Sequence, residues 1–492
     1  MNPLHRLPSL LLLIALTGTA LGADPRSWDR SYVTLEVTYK DYDYAQPWSR
    51  PTRTVRKGAL VLGGRELLTT AQHLPGATLV RVQRGGRGTW YDGRVVWTDP
   101  HANLALVTAD AEAFWEGLKP AELAPVVPAS PDFNLLRWRD GNLESRRVEF
   151  SKFSVREGLL SFAPRLTLEV NTELGGLGWA EAVTLNGAVV GLTAAKTGNT
   201  CQVIPSSFIR QVLDARDDGS SPGLGYFDFT WQPGDNPATL RHLRLDGPER
   251  GAVVTEVINR TNRPAVLRPR DVLLEVDGFP VDVQGDYEDP DYGYLMLENL
   301  ATRRHFAGDV VPMRIWRDGT EEAVDYVLPP VTYADELVPQ QSFGHDPEYL
   351  LAGGLVFQPL IQPFLRVWGD DWRRRAPFRL QHYQRDHPTP ERPSLVILST
   401  VLPDPVNLGY QDVRFLVVDQ VNRRRISTLG DLAAALENPT DGVHRIEFMP
   451  GDSLQRMLLD AAETEASAPR VLQRYGIPAA QNVVDREPSS GP

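Results

Sequence analysis

Residues 99–106 of the chain read DPHANLAL, and residues 186–192 read NGAVVGL. The first string ends in a short β-rich segment, and similar segments precede it at residues 33–39, 58–62, 78–82 and 93–97. Gly, Pro and Asp separate these segments at intervals of about ten residues, a rhythm typical of a β-sandwich or β-barrel. Around the second string, a further cluster of strands covers residues 159–203, and helical spacing follows at residues 206–215. We therefore predict that this part of the chain is mainly β.

The composition is that of an ordinary soluble globular protein, with 42% hydrophobic and 23% charged residues. The 492 residues exceed what one hydrophobic core usually supports, so about two to four domains are expected. A net charge of −12 argues against nucleic acid as a partner, because a phosphate-binding surface needs clustered Lys and Arg. The basic clusters at residues 373–375 and 423–425 are short, and we interpret them as solvated loops.

The N-terminus has the three parts of a secretory signal peptide, which we assign to residues 1–22. Arg6 precedes an apolar run at residues 10–16, and small residues follow at residues 20–22. The run is short for a permanent membrane anchor, although an uncleaved anchor stays open as an alternative. No later segment resembles a transmembrane span. We therefore expect an exported chain, in the periplasm or the extracellular space.

Polar stretches rich in Gly, Ser and Pro divide the rest of the chain. They form linkers at residues 216–224 and 329–347, and the tail from Asp485 has a composition typical of disorder. The predicted domains are residues 24–215, 223–330 and 345–482, followed by a disordered tail at residues 483–492. Residues 251–278 and 394–422 share one layout of β-run, spacer and β-run, which predicts two copies of one module.

Two segments of the first block resemble the triad segments of trypsin-like proteases. Residues 68–73, LTTAQH, resemble the Leu-Thr-x-x-His segment that delivers the general base, with one extra residue before His73. Residues 99–106 resemble the Asp-Pro-x-x-Asp-Leu-Ala segment of the HtrA/Deg (DegP-like) family, with Asn103 in place of the second Asp. The resemblance implies a trypsin-like double β-barrel.

The same resemblance implies that the catalytic site is degenerate. Residues 173–177, ELGGL, resemble the family's Asn-Ser-Gly-Gly-Pro loop, and Leu174 stands at the nucleophile position without a side-chain heteroatom. Asn103 lacks the charge that stabilises an imidazolium, an exchange that costs on the order of 10⁴ in turnover. Glu173 would add negative charge where an oxyanion must be bound. His73, Asn103 and Leu174 are therefore predicted to be degenerate triad positions without protease activity.

Other catalytic or metal sites in this block have weaker support. Its remaining serines lie in no Gly-x-Ser-x-Gly elbow, so a relocated nucleophile stays an alternative only. A grouping of His73 with His101 and Asp99 matches no standard metal-ligand spacing. The single Cys201 can form no internal disulfide. We predict no metal site and no cofactor.

The second block resembles a protease-associated PDZ domain. The resemblance rests on GAVV at residues 251–254 and LRPRDVLLEVDG at residues 267–278. Such domains take up an extended peptide as an added strand. The predicted carboxylate-binding loop of this domain is Gly223, Leu224, Gly225, Tyr226 and Phe227. The alternative for these five residues is a Gly-rich linker that enters a strand, and the acidic insertion at residues 284–294 would be able to cover the groove.

The third block resembles the second PDZ-like module of plant-type Deg proteases. The resemblance rests on LAGGLVFQPL at residues 351–360 and NLGYQD at residues 407–412, and Pro47-Trp48 agrees with that branch. It implies a role in assembly, with trimers or larger homo-oligomers. The predicted fold class is therefore mainly β, a trypsin-like double β-barrel followed by two PDZ-like α+β domains.

These observations favour a catalytically inactive HtrA/Deg-like protein that binds peptides or unfolded-protein segments through its PDZ domains. It would act as a scaffold, a chaperone-like factor or a regulator of a partner protease. Two alternatives stay open. One is an active serine endopeptidase with a relocated nucleophile, and the other is a purely structural oligomer subunit.

Overall fold

The computed structural model describes residues 28–177, 179–219, 223–258, 265–369, 371–451 and 454–484. The predicted signal peptide and the predicted tail from residue 485 lie outside these ranges. The described residues form two closed β-barrels and two large antiparallel sheets. None of their helices is long and apolar enough to cross a membrane.

The first barrel has the strand order β1-β2-β3-β6-β5-β4. Its strands are β1 (Tyr32–Lys40), β2 (Thr52–Val61), β3 (Leu67–Thr69), β4 (Ala77–Gln83), β5 (Trp90–Asp99) and β6 (Leu104–Ala109). Val33, Leu35 and Val37, at alternate positions of β1, pack into one buried apolar cluster with residues of β2, β4 and β6. The period-two pattern of the sequence therefore sets which face of the strand packs into this apolar cluster. A short helix, α1 (Glu112–Trp115), follows β6.

The second barrel repeats this topology, with the order β7-β8-β9-β12-β11-β10. Its strands are β7 (Asp132–Arg139), β8 (Asn142–Gly158), β9 (Ser161–Asn171), β10 (Ala182–Leu185), β11 (Ala188–Thr197) and β12 (Thr200–Pro205). Helix α2 (Ser206–Asp217) follows β12 directly and buries Phe208, Ile209 and Val212 in an apolar cluster that both barrels share. The trypsin-like double barrel predicted from the sequence is therefore present.

The next sheet has the order β13-β14-β15-β19-β20. This first module contains β13 (Phe229–Pro233), α3 (Pro237–His242), β14 (Ala252–Val257), β15 (Val272–Val276), β16 (Phe279–Pro280), β17 (Asp286–Asp289), β18 (Gly293–Met296), β19 (Val310–Arg317) and β20 (Thr320–Val327). Strands β17 and β18 pair only with each other among the described strands, and a 3₁₀ turn at Leu297–Ala301 follows them. The acidic insertion at residues 284–294 is therefore a hairpin.

The C-terminal module is built on a sheet of order β27-β26-β24-β23-β22-β21-β28. Its strands are β21 (Tyr349–Ala352), β22 (Leu355–Pro359), β23 (Val396–Val401), β24 (Leu416–Val421), β25 (Arg424–Arg425), β26 (Val443–Phe448), β27 (Arg456–Asp460) and β28 (Gln481–Asn482). Its helices are α4 (Gln362–Leu365), α5 (Trp372–Arg375), α6 (Phe378–Gln381), α7 (Leu429–Leu436) and α8 (Ala461–Tyr475). Helix α7 begins at a capping box of Thr428 and Asp431, and α8 ends at Gly476, which has a left-handed backbone.

The two modules share a pairing scheme. Strand β14 pairs antiparallel with β15, which is followed by the short β16, and β23 pairs antiparallel with β24, which is followed by the short β25. These are the two segments whose common layout the sequence predicts. The predicted mainly β class, with two α+β modules after the barrels, is confirmed.

The C-terminal module also contacts the first barrel, from which it is distant in sequence. Lys40 and Arg50, at the two ends of the β1–β2 loop, form ion pairs with Asp346 at 3.0 Å and 2.8 Å. Tyr42 Oη donates a hydrogen bond to the same carboxylate at 2.7 Å. The ring of Trp48 contacts that of Tyr349 edge-on at 5.8 Å between centroids. The β1–β2 loop therefore docks against the start of β21.

Candidate functional site: the cleft between the barrels

A cleft of about 890 Å³ lies where the two barrels meet. One wall comes from β1, β2 and the turn after β4. The other comes from the β7–β8 hairpin and the segment that precedes β10. Residues 173–176, which belong to the predicted nucleophile loop, lie in this second wall. Of the three predicted triad positions, Leu174 is in this lining, whereas His73 and Asn103 are not among the lining residues.

The two barrels touch at Gly58 on β2. Its peptide N–H donates to the carbonyl oxygen of Trp179 at 3.0 Å, and Tyr32 Oη donates to the carbonyl oxygen of Ala180 at 3.2 Å. A Cβ atom on Gly58 would lie 2.5 Å from that Ala180 oxygen and 1.9 Å from Tyr32 Oη. Only glycine therefore allows the barrels to approach this closely.

Asn103 is fully buried in a left-handed conformation with φ 54°. Its Oδ1 accepts a hydrogen bond at 3.2 Å from the peptide N–H of Gln72, and its Nδ2 has no partner among the described residues. The residue held against Asn103 is thus Gln72, one position before His73. The contact is made by the peptide N–H of Gln72 and not by the ring of His73, which is one position further along the LTTAQH string.

His73 also has a left-handed backbone, with φ 68°. Its ring stacks on Tyr39 at 4.7 Å between centroids, and the ring of Trp179 lies 6.3 Å away. Burial, with a smaller contribution from the charge of Lys57, lowers the pKa of His73 to about 4. The imidazole is therefore neutral at neutral pH and sits in an aromatic setting, with its Nδ1 unpartnered among the described residues.

Lys57, which the motif comparison missed, lies beside these residues. Its side chain is buried, and Nζ donates to the carbonyl oxygens of Thr70 at 2.6 Å and Gln72 at 2.8 Å. The lysine therefore holds the turn that carries His73. Burial lowers the pKa of Lys57 to about 7. The available signal was a lysine directly before Gly58, on a strand whose second half is otherwise apolar.

Leu174 lies in the wall of the cleft but packs toward the second barrel. Its side chain contacts the apolar cluster that contains Val127, Phe133 and Leu135. Its peptide N–H donates to Thr172 Oγ1, and its carbonyl oxygen accepts from Lys196 Nζ at 2.6 Å. The residue of this segment that lies near the ring of His73 is Trp179. The three predicted triad positions are therefore not assembled as a triad.

The loop that would deliver a nucleophile carries none. Residues 173–183 read ELGGLGWAEAV and contain no serine, threonine or cysteine. This holds whichever position of the loop is aligned with a catalytic serine. The one cysteine, Cys201, is buried in the second barrel, and burial raises the pKa of its thiol to about 12. A thiolate at neutral pH is therefore excluded there.

The other histidine of this block, His101, has surroundings different from those of His73. The ring of His101 lies 4.5 Å from that of Tyr333, and its carbonyl oxygen accepts a hydrogen bond from Arg165. Burial lowers the pKa of His101. Its surroundings differ from the Tyr39 and Trp179 rings around His73, and no group of three or more His, Cys, Asp or Glu side chains suited to a metal occurs among the described residues.

Two curated proteins of Arabidopsis thaliana match almost the whole chain. "Protease Do-like 2, chloroplastic" is 26% identical over 481 residues, which cover 95% of this chain and 77% of that protein. "Putative protease Do-like 13" is 22% identical over 458 residues, which cover 91% of this chain and 87% of that protein. The chain is thus similar to Deg/Do-like proteases over nearly its whole length. The predicted resemblance to the HtrA/Deg family is thus confirmed.

A family model described as "PDZ domain" matches residues 338–482 of this chain. The match spans the sheet of the C-terminal module, which we call the PDZ module from here on. Among solved structures, "HtrA-type protease AlgW with decapeptide" matches with 16% identity and a TM-score of 0.45. That match covers 62% of this chain and 98% of the other.

The predicted carboxylate-binding loop of this chain, residues 223–227, is not open in the structure. Leu224, Tyr226 and Phe227 are buried side chains. The carbonyl oxygen of Leu224 accepts from the peptide N–H of Val331 at 2.9 Å, and the peptide N–H of Tyr226 donates to Pro329. The carbonyl oxygen of Gly223 accepts from Ala307. Gly225 forms an isolated bridge with Pro330. The loop is therefore closed by the end of its own module, in agreement with the alternative of a linker that enters the sheet.

The β17–β18 hairpin occupies the space beside β13 in the first module. The ring of Trp231 on β13 covers Gly285, where a Cβ atom would lie 2.1 Å from the indole, and Trp231 Nε1 donates to Glu298 at 2.8 Å. At the tip of the hairpin, Tyr292 Oη donates to Ser207 on α2. The acidic insertion thus fills this region and fastens it to the second barrel.

The PDZ module has an open groove of about 860 Å³ between β21, α7 and α8. Its lining is mostly small or apolar, with residues such as Leu351, Ala433 and Ala468. The carboxylates in this lining belong to Glu437, Asp460 and Glu465, and it contains no lysine or arginine. The inter-barrel cleft and this groove are thus two open, peptide-sized surfaces among the described residues.

Proposed function

We propose that the chain is a catalytically inactive Deg/HtrA-like protein that binds polypeptide segments without cleaving them. The observation that carries the proposal is the loop at residues 173–183, which supplies no hydroxyl or thiol to the cleft. The position of Asn103, held on the peptide N–H of Gln72 rather than on a histidine ring, supports it further. Without a nucleophile, acyl transfer by this site has no first step.

Binding without cleavage uses the two open surfaces. The inter-barrel cleft offers strand ends from both barrels, and the PDZ module offers a groove between strand β21 and helices α7 and α8. Both sides of β21 are paired, by β22 and by β28, so a segment would bind the groove through its side chains rather than as an added strand. Peptide binding of this kind supports a role as a scaffold, a chaperone-like factor or a regulator of an active partner protease.

Export and assembly belong to the same proposal. The pattern of Arg6, the apolar run at residues 10–16 and the small residues at 20–22 supports secretion to the periplasm or the extracellular space. Assembly into trimers or larger homo-oligomers rests on the resemblance of the third block to plant-type Deg proteases. N-terminal sequencing of the secreted chain tests the first point, and light scattering of the purified chain tests the second.

The decisive experiment follows casein degradation together with labelling by a fluorophosphonate probe, with trypsin as the positive control. We expect neither cleavage nor labelling. Cleavage by the chain together with a labelled serine would contradict the proposal, and the labelled peptide would then locate a relocated nucleophile. If the chain were instead a purely structural subunit, it would bind no peptide in fluorescence anisotropy.

A further inference from the structure

The inter-barrel cleft is rich in cations, although the chain as a whole carries a net charge of −12. Its described lining contains five basic side chains, those of Arg56, Lys57, Arg87, Arg137 and Arg139. Against them stand three carboxylates, those of Asp140, Glu173 and Glu181. The lining of this cleft is thus net positive on a molecule that is net acidic.

Ion pairs do not cancel this excess. Arg56 shares the carboxylate of Glu36 with Arg81. On the other wall, Arg137 shares the carboxylate of Glu144 with Arg146. In each case two guanidinium groups meet one carboxylate. The wall of β1, β2 and the turn after β4 therefore keeps a surplus of positive charge after its own pairs are counted. On the other wall, Arg139 pairs with Asp140, and the carboxylates of Glu173 and Glu181 offset the arginines.

Lys57 and Arg87 add charge that is not paired at all within the described residues, where no carboxylate lies within 4 Å of either side chain. Lys57 is only 3% exposed and lines the cleft. Two carbonyl oxygens accept from its Nζ, and an ammonium has three donors. The cost of removing this group from water is already incurred in the free protein, so a ligand carboxylate that reaches it gains a charge-assisted hydrogen bond.

We propose that the cleft selects acidic peptide segments, with Lys57 as the group that recognises one ligand carboxylate. This inference rests on the proposed function, because it names the class of segment that the inactive cleft binds. Peptide is favoured over nucleic acid, since the three lining carboxylates would repel a continuous phosphate backbone and the rest of the surface is acidic. A glutamate- or aspartate-rich segment can instead place single carboxylates between them.

The test compares two fluorescein-labelled ten-residue peptides on the full chain by fluorescence anisotropy. One carries four glutamates, and the other carries glutamines at the same positions. Both are amidated at the C-terminus, so that neither presents a terminal carboxylate. We expect the acidic peptide to bind about tenfold more tightly, in line with a charge-assisted hydrogen bond. Lys57→Met, which removes the charge and keeps most of the side-chain length, is expected to remove most of that preference.

Two further variants guard against a folding defect in Lys57→Met. Arg87 lies on the exposed turn after β4, so Arg87→Glu is expected to lower acidic-peptide affinity without disturbing the core. Arg94→Gln, on the outside of the same barrel, is the matched control and is expected to change nothing.

The outcomes separate the two proposals. If both peptides bind equally well, or if Lys57→Met and Arg87→Glu leave the preference intact, the acidic specificity is wrong while peptide binding stands. If neither peptide binds, peptide binding by the cleft fails together with its specificity. If a twelve-residue oligothymidylate binds with the same dependence on Lys57, the ligand is nucleic acid and the inference is overturned.

Discussion

Two cavities among the described residues have nearly equal size and opposite chemistry. The inter-barrel cleft encloses about 890 Å³ and is lined by five basic side chains, whereas the groove of the PDZ module encloses about 860 Å³ and carries carboxylates without lysine or arginine. The cleft is where the sequence resembles a protease site, and the groove is where it matches a PDZ domain. The comparison teaches that one chain can present two cavities of similar size whose linings suit ligands of opposite charge.

The largest expected effect comes from adding a side chain at Gly58, where the two barrels touch beneath the cleft. Gly58→Ala places a methyl group against Tyr32 and the carbonyl of Ala180, which we expect to cost about 3 kcal/mol of unfolding free energy, at the upper end for overpacking. Urea unfolding followed by tryptophan fluorescence measures it. Gly63→Ala is the control, since nothing lies within 4 Å of its added carbon. Equal stability of the two variants would mean that the barrels do not meet at Gly58.

A smaller effect should appear in the pH dependence of stability. The pKa of Lys57 is about 7 in the folded chain against an ordinary 10.5, so between these values the unfolded chain holds a proton that the folded chain has lost. Stability therefore rises with pH across this window, by roughly 1.4 kcal/mol per pH unit at most. The nearby His73 and Tyr32 do not titrate there, because burial moves the pKa of the first to about 4 and that of the second well upward.

Lys57→Met is expected to flatten this rise, while Lys152→Met on the exposed face of β8 is expected to leave it unchanged. Chemical unfolding at pH 7, 8 and 9 measures the slopes. A wild-type slope of zero would show that Lys57 keeps its proton throughout. The cleft would then differ from the groove only in charges that stay constant between pH 7 and 9.

The smallest effect concerns the groove. Ala468→Trp fills it with an indole and is expected to lower the affinity for a fluorescent apolar peptide that carries one lysine by about tenfold, through lost apolar contact and lost access to the acidic rim. Ala466→Trp, on the same helix but outside the groove, is the matched control. Acidic-peptide binding by the cleft should be unaffected by both. Loss of both ligands in Ala468→Trp alone would show that the two cavities are coupled.

The barrels and the two modules could be predicted from the sequence, because strand rhythm and turn residues are local signals. Strand β1 shows why, since its alternation of apolar residues survives directly as the buried face. The resemblance to HtrA/Deg proteases added the topology that the local rhythm alone left open between a sandwich and a barrel.

The site was less predictable, because it depends on contacts between distant segments. One residue of register decides whether Gln72 or His73 meets Asn103, and the sequence string alone could not fix that register. Lys57 belongs to no recognisable motif. It lies at the floor of a cleft only because Trp179 of the other barrel approaches it. The loop at residues 223–227 has the composition of a binding loop, but its partners at residues 329–331 lie a hundred residues away.

The docking of the β1–β2 loop on Asp346 joins the first and the last parts of the described chain. The first barrel and the last module, which are furthest apart along the polypeptide, hold each other directly through Lys40, Tyr42 and Arg50. A single nick in the linker before Asp346 would therefore not release the PDZ module. The two fragments would travel together through gel filtration and separate only in denaturant, so an intact elution profile cannot be read as an intact chain.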